Sequence, residues 1–375
     1  MKHFVVIIIV CVLMSAFAVA VSADGETEDF GYSELEEYIP DDILDDIPEG
    51  LLSGDADAED LSAGYIFDKI LEYAKGTLFP SASLLSTLLG LTIISSSFEL
   101  FSSEISGGKM KKCVSEVAVL LAASRVFTFE LEIMESVTAL ITVMTTFSSA
   151  AAPVLASTEL AAGNVSGAAV TSYGLFFFSS ALELVTSFVF VPLCRACLAL
   201  AVVSAVSFSG GAGDGIGSVC GLIKRTFTSL LSAAAMIFSA VICCQTSLSS
   251  SSDTLASRGI KFAVGSSIPI VGGALGDAIT TTAAGISIIK SHAGTLGIVV
   301  LILTSAPVII NLFANGAVMG IAAVAANLLG APRLASFYGE IKEISGLALA
   351  MTALSVTVFI IVLALYMNVS PAIAA

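Results

Sequence analysis

The residues best suited to metal or redox chemistry in this chain are two cysteines in the pattern C-x-x-C, Cys194 and Cys197. Cysteines at this spacing can supply half of a tetrahedral zinc site or form a redox-active pair. A structural zinc site needs a second pair of ligands, which this lone pair beside an apolar stretch lacks. We therefore interpret both cysteines as small apolar packing residues, with metal or redox chemistry as the alternative.

Other catalytic patterns are incomplete. Residues 211–214 match the G-x-G-D pattern of intramembrane aspartyl proteases, but that chemistry needs two carboxylates that share a proton, and the partner Tyr-Asp motif is absent. His292 is the only histidine after the N-terminal apolar run, and no H-E-x-x-H, Walker or Rossmann pattern occurs. We expect no enzymatic activity and no cofactor.

An acid in an apolar segment is the most specific polar signal. Asp277 lies in residues 261–279, which also contain Lys261, Pro269 and four glycines, among them Gly272 and Gly273. Charge inside a membrane is costly and usually faces a partner or a cavity, and proline interrupts a helix. We interpret this stretch either as a functional break in a spanning helix or as close helix packing through small residues. Pro153 and Pro307 predict further interruptions.

These side chains must be positioned by membrane helices. The chain has 375 residues, of which 56% are hydrophobic and 12% charged, and its mean hydropathy is +0.99. A soluble domain has roughly a quarter charged residues. The sequence predicts an all-α, polytopic membrane protein with about eight crossings and one or two broken or re-entrant helices. Spanning segments are expected near residues 79–101, 136–157, 168–191, 226–246, 294–314, 317–330 and 346–367, with irregular pieces at 194–223 and 259–289.

The N-terminal region is predicted to be exported. Residues 1–23 resemble a signal peptide, with an uncleaved first helix as the alternative. Residues 24–60 contain sixteen Asp and Glu and no Lys or Arg, so they account for the whole net charge of −16. Such a segment is typical of a disordered, solvated tail and does not indicate nucleic-acid binding. We place residues 24–77 outside the cytoplasm.

One patch of this acidic segment is apolar at helical spacing. It consists of Ile39, Ile43, Leu44 and Ile47, and the last three of these lie between Pro40 and Pro48. We interpret the patch as a disordered linker or as a short partner-docking helix that orders on binding. Residues 61–77 then predict an amphipathic helix on the outer membrane surface, and residues 78–375 predict the multi-pass membrane domain.

Basic residues set the expected orientation. With residues 24–77 outside, the positive-inside rule places the lysine-rich loop at 109–112 in the cytoplasm and the C-terminus outside. Residues 113–135 contain four glutamates and one arginine, which is too many charges for a lipid-facing helix. We expect a cytoplasmic or groove-lining amphipathic helix there.

Residues 258–297 resemble the stage III sporulation protein AE family of endospore-forming bacteria. The likeness extends more loosely over most of the chain. The matching positions of the K-F…P-I-V-G-G-x3-D core and the lysine that follows it are Lys261, Phe262, Pro269, Ile270, Val271, Gly272, Gly273, Asp277 and Lys290.

The resemblance implies a non-enzymatic membrane subunit of a secretion-like channel complex between mother cell and forespore. Its implied partners are the sister stage III sporulation proteins, a forespore-side protein and the lipid membrane around the forespore. The alternative is a secondary transporter with its solute site at the break between Pro269 and Asp277.

Overall fold

The computed structural model describes residues 39, 41–44, 46–47, 63–105, 109–161, 165–207, 217–240 and 272–368. These residues form helices and short turns, and no strand occurs among them, which confirms the predicted all-α class. The predicted signal peptide and most of the acidic segment lie outside the described residues. The helices are α1 (Asp41–Leu44), α2 (Ala63–Ile105), α3 (Lys109–Ala161), α4 (Val165–Val185), α5 (Val191–Ser207), α6 (217–240), α7 (Gly272–Leu328) and α8 (Pro332–Asn368).

Several helices are longer than one membrane crossing requires. α3 has 53 residues and α7 has 57, or roughly 80 Å each at 1.5 Å per residue, whereas the hydrocarbon core of a bilayer is about 30 Å thick. Within the described residues, five helical stretches are long and apolar enough to cross a membrane. They are Tyr65–Ser97, Glu116–Ser157, Ser172–Ala205, Leu296–Leu328 and Pro332–Ala364.

The expected count of about eight crossings is not confirmed, because several predicted segments lie on one helix. The expected amphipathic helix at 113–135 continues into segment 136–157 as α3, and segments 294–314 and 317–330 are both part of α7. The interruptions predicted at Pro153 and Pro307 are wrong, since both prolines lie inside continuous helices. A proline costs one backbone hydrogen bond, and packing in a long helix tolerates that local loss.

A π-helical segment joins α4 to α5. It spans Thr186–Phe190, and the amide of Val191 donates to the carbonyl of Thr186, five residues earlier. Pro192 follows immediately and has no amide hydrogen to donate. The π-helical segment accommodates this missing donor, so residues 165–207 are helical without interruption.

α7 and α8 form a tight antiparallel hairpin. The amide of Ala331 donates to the carbonyl of Ala326 at 2.9 Å, and that of Gly330 donates to Asn327 at 3.3 Å. This Schellman pattern requires a left-handed residue after the helix, and Gly330 has φ = +75°. Pro332 then starts α8, where its missing donor costs nothing. The Ser96 hydroxyl of α2 donates to the Leu329 carbonyl and so ties the turn to a third helix.

The hairpin is the centre of the bundle. α7 makes its most extensive contact with α8 and also packs on α2 and α3, while α3 packs along α4. Large apolar side chains remain on the outside: Phe79 is 83% exposed and Tyr173 is 76% exposed. An apolar exterior around a packed interior is the pattern that helices facing lipid require.

The turn yields a matched pair of glycine substitutions. We expect Gly330→Ala to lower the free energy of unfolding by about 1–2 kcal/mol, because a Cβ disfavours positive φ. Gly339→Ala in α8 is the control, since a Cβ added there would meet nothing within 4 Å and alanine favours helix. Thermal midpoints of the detergent-solubilised chain should fall for the first variant and stay or rise for the second. Equal midpoints for both would contradict the assigned turn.

Candidate functional site

A buried carboxyl group lies between three helices. Asn315 Nδ2 of α7 donates to Oε1 of Glu130 of α3 at 2.7 Å, and the Ser345 hydroxyl of α8 donates to the same oxygen at 2.9 Å. Asn315 Nδ2 also lies 3.1 Å from Ser345 Oγ. The exposed fractions of Glu130, Asn315 and Ser345 are 1%, 1% and 0%. We call these three residues the Glu130 cluster.

The helical repeat explains how α3 brings its acid inside. Val126, Glu130, Ile133 and Val137 recur at three- and four-residue spacing, and all four are buried. Glu132 and Glu135 fall between these positions and are exposed. The acids of this segment therefore separate by face, with only Glu130 on the inward stripe among these three glutamates.

The hairpin aligns the other two members of the cluster. Asn315 and Ser345 lie at equal distances along the chain on either side of Gly330, so antiparallel pairing brings them opposite each other. Each lies close to the middle of its candidate span, Leu296–Leu328 or Pro332–Ala364. The cluster therefore sits deep along both helices, far from their ends.

Two atoms of the cluster are buried without a hydrogen-bond partner, Glu130 Oε2 and Asn315 Oδ1. None of the ion pairs seen in the described part of the chain includes Glu130. Burial of an unpaired carboxylate in an apolar interior is costly, and intramembrane ionisable groups usually mark functional positions. The Glu130 cluster is therefore the strongest candidate site among the described residues.

A second polar contact holds the acidic segment to the bundle. Lys69 Nζ donates to Asp46 Oδ1 at 2.6 Å, and the Tyr73 hydroxyl donates to Oδ2 at 2.5 Å. The Tyr65 hydroxyl donates to the Asp46 carbonyl at 2.7 Å. Three side chains of α2 thus bind one residue of the N-terminal segment.

The apolar patch lies directly beside this contact. Ile39, Ile43 and Ile47 are each 4% exposed and belong to the main core cluster, against which Leu44 also packs. These four residues are the ones predicted to dock a partner, and here they pack on the helices of their own chain. Their binding of another protein stays a prediction.

The Asp46 carboxyl titrates below its usual range. Partial burial raises its pKa, but hydrogen bonds from Lys69 and Tyr73 and the charge of Lys69 together bring the pKa below the ordinary 3.8. A carboxyl with a lowered pKa stabilises the docked state above the ordinary pKa. This contribution is lost as the pH falls from 3.8 through the lowered pKa.

The residues of the predicted helix break are only partly described. Gly272, Gly273, Asp277 and Lys290 lie on the backbone of α7, which begins at Gly272. Lys261 and Pro269 lie outside the described residues. Cys194 and Cys197 are both buried in α5. Within the described residues, no group of three or more His, Cys, Asp or Glu side chains is arranged to hold a metal ion.

The members of the Glu130 cluster are not among the candidate site residues that the sequence predicted. Glu130 carried a usable signal, because it replaces an apolar residue in the inward stripe of α3. Asn315 and Ser345 carried none, since single polar residues in apolar helices are common and their partners are 185 and 215 residues away.

Long apolar helices around a buried polar cluster fit the class of all-helical membrane proteins. The family model of stage III sporulation protein AE matches residues 48–370. The chain belongs to this family, as its resemblance over residues 258–297 predicted. No curated protein and no solved structure matches the chain.

Asn315 is the member of the Glu130 cluster whose replacement tests its contribution to stability. We expect Asn315→Leu to destabilise the bundle by about 1–3 kcal/mol, because it removes a donor from a buried carboxyl group. Asn327→Leu is the control, since Asn327 is exposed on the same helix. The measurement is the thermal midpoint of a fluorescent-protein fusion, followed by size-exclusion chromatography in detergent. A wild-type midpoint for Asn315→Leu would show that the cluster does not stabilise the fold.

Asp46 is the residue through which the N-terminal segment binds α2. Asp46→Asn removes the charge that Lys69 binds, so we expect residues 39–47 to exchange their amide hydrogens faster at neutral pH. Asp68→Asn is the matched control, because Asp68 is exposed on α2. Hydrogen exchange followed by mass spectrometry measures both variants. If exchange of residues 39–47 is the same in Asp46→Asn as in wild type, the ion pair does not hold the segment.

Proposed function

We propose that this protein is a non-enzymatic, multi-pass membrane subunit of a secretion-like channel complex that connects mother cell and forespore during sporulation. The observation that carries this proposal is membership of the stage III sporulation protein AE family over residues 48–370. Family membership supports a role in sporulation, and the channel role is the finer step that we add.

The distribution of side chains supports the membrane part of the proposal. Five helical stretches of the described chain are apolar enough to span a bilayer, and large side chains such as Phe177 and Phe188 point outward. Helices with apolar exteriors need lipid or protein to cover them. We place the protein in the mother-cell membrane around the forespore, with residues 24–77 outside the cytoplasm.

The interior supports a structural role over an enzymatic one. The Glu130 cluster contains one carboxyl, one amide and one hydroxyl that bind each other, which is an arrangement that joins helices. We propose that the chain acts through assembly with other stage III sporulation proteins and with a protein on the forespore side.

Affinity purification from sporulating cells tests this proposal. An affinity-tagged chain, solubilised in mild detergent, should retain other stage III sporulation proteins that mass spectrometry identifies. An equally tagged polytopic protein of unrelated function is the control. We also expect deletion of the gene to arrest sporulation and the tagged copy to restore it.

The opposite outcome is equally specific. If the tagged, functional chain purifies without other sporulation proteins and moves a solute in liposomes on its own, the complex-subunit proposal is wrong. Such transport would favour the transporter interpretation.

A further inference from the structure

The neighbours of Glu130 determine whether its buried carboxyl group can carry a charge. Its partners in the cluster are an amide and a hydroxyl, neither of which carries a charge. In the described part of the chain, no ion pair includes Glu130, and the buried Cys194 thiol of α5 is a titratable group close enough to interact with its charge. The facing groups are therefore Asn315 on α7, Ser345 on α8 and Cys194 on α5.

The hydrogen bonds distinguish the two carboxyl oxygens. Oε1 lies within hydrogen-bond distance of two donors, Asn315 Nδ2 and the Ser345 hydroxyl, which also lies 3.0 Å from the Ile341 carbonyl, whereas Oε2 is buried and has no partner. A carboxylate would present two equivalent acceptors and would leave one of them unpaired in an apolar interior. A neutral carboxylic acid has one carbonyl oxygen that accepts and one hydroxyl oxygen that donates, which agrees with this asymmetry.

The buried amide supplies an acceptor for that hydroxyl group. Asn315 Oδ1 is also buried and without a partner. Carboxylic acid and carboxamide groups pair through two hydrogen bonds, one from the amide nitrogen and one from the acid hydroxyl. The first of these is present at 2.7 Å. A proton on Glu130 Oε2 would make this oxygen a hydrogen-bond donor, and Asn315 Oδ1 would be available as an acceptor.

We propose that Glu130 is a proton-binding site, whose carboxyl group holds an exchangeable proton in the packed bundle. The ligand is the proton itself. Its binding keeps the junction of α3, α7 and α8 neutral, and its loss places a negative charge between these helices.

A cavity lies one helical turn from the Glu130 cluster. A cavity of about 140 Å³ is lined by Ile133, Ser136, Pro307, Val308 and Asn311. Ile133 lies one helical turn from Glu130 on α3, and Asn311 lies one turn from Asn315 on α7. The volume is sufficient for several water molecules, each of which needs polar partners.

The lining of the cavity offers such partners. Ser136 and Asn311 contribute a hydroxyl and an amide. Pro307 lacks the amide hydrogen that would bind the carbonyl of Leu303, so a backbone acceptor is also released on α7. Water at these groups can carry a proton to within one helical turn of the carboxyl.

Chemical labelling of the full-length protein in native membranes tests this site. Dicyclohexylcarbodiimide is an apolar reagent that reacts with protonated carboxyl groups, since the acid O–H adds across one of its C=N bonds. We expect mass spectrometry to find the adduct on Glu130 and its loss as the pH is raised. Glu130→Gln should lose this adduct. Glu132→Gln, which changes an exposed acid two residues away, should retain it.

Infrared spectroscopy provides a second measurement that does not depend on access of the reagent. We expect the wild-type spectrum to contain a protonated-carboxyl band that is lost in Glu130→Gln and kept in Glu132→Gln. Glutamine keeps the size and hydrogen-bonding capacity of the side chain, and size-exclusion chromatography verifies that the variant is folded. A carboxylate band lost in its place would overturn the proposal.

Competition with sodium ions distinguishes a site that binds a proton from a site that binds a metal cation. Labelling that is unaffected by sodium at constant pH supports proton binding. Protection of Glu130 by sodium but not by choline would overturn the proposal and identify a cation site. These measurements do not depend on partner proteins, so their failure is distinguishable from failure of the proposed complex role.

Discussion

Burial of a carboxyl group between three apolar helices is the constraint on which this architecture depends. An ionisable group in such an interior needs partners, and Glu130 finds them on α7 and α8. Apolar side chains alone permit helices to slide or rotate, because one apolar surface is much like another. Hydrogen bonds to a single carboxyl oxygen fix the register of α3 against the hairpin. The buried network therefore contributes specificity to a bundle whose cohesion comes from packing.

The hairpin of α7 and α8 determines how that network assembles. Gly330 reverses the chain with a left-handed residue, and Pro332 begins the next helix at once. So short a connection leaves little freedom in the pairing, which brings Asn315 opposite Ser345. α2 reinforces the turn through the bond from Ser96 and approaches Tyr338 at Thr92, whose hydroxyls lie 3.5 Å apart. The turn and the polar cluster thus constrain the same pair of helices at two positions along their length.

The N-terminal segment is bound to the same body by a different mechanism. Ile39, Ile43 and Ile47 bury apolar surface, while Asp46 binds a lysine and two tyrosines of α2. The docked patch covers apolar surface of the helices that would otherwise be open. The family match begins at residue 48, so this contact lies at the edge of the shared region.

Composition and the length of the apolar blocks alone determined the all-helical class of this protein. The high apolar content predicted an all-α membrane protein, and the motif from Lys261 to Asp277 indicated the family, because both are properties of the local sequence. The number of spans did not follow, since a proline such as Pro307 predicts an interruption while packing carries the helix through it. The buried face of each helix could be predicted in part from the sequence. Glu130 illustrates this, because it lies in the apolar stripe of α3. Only the tertiary structure brought Glu130 to Asn315 and Ser345, because contacts between distant helices depend on packing that no local pattern encodes.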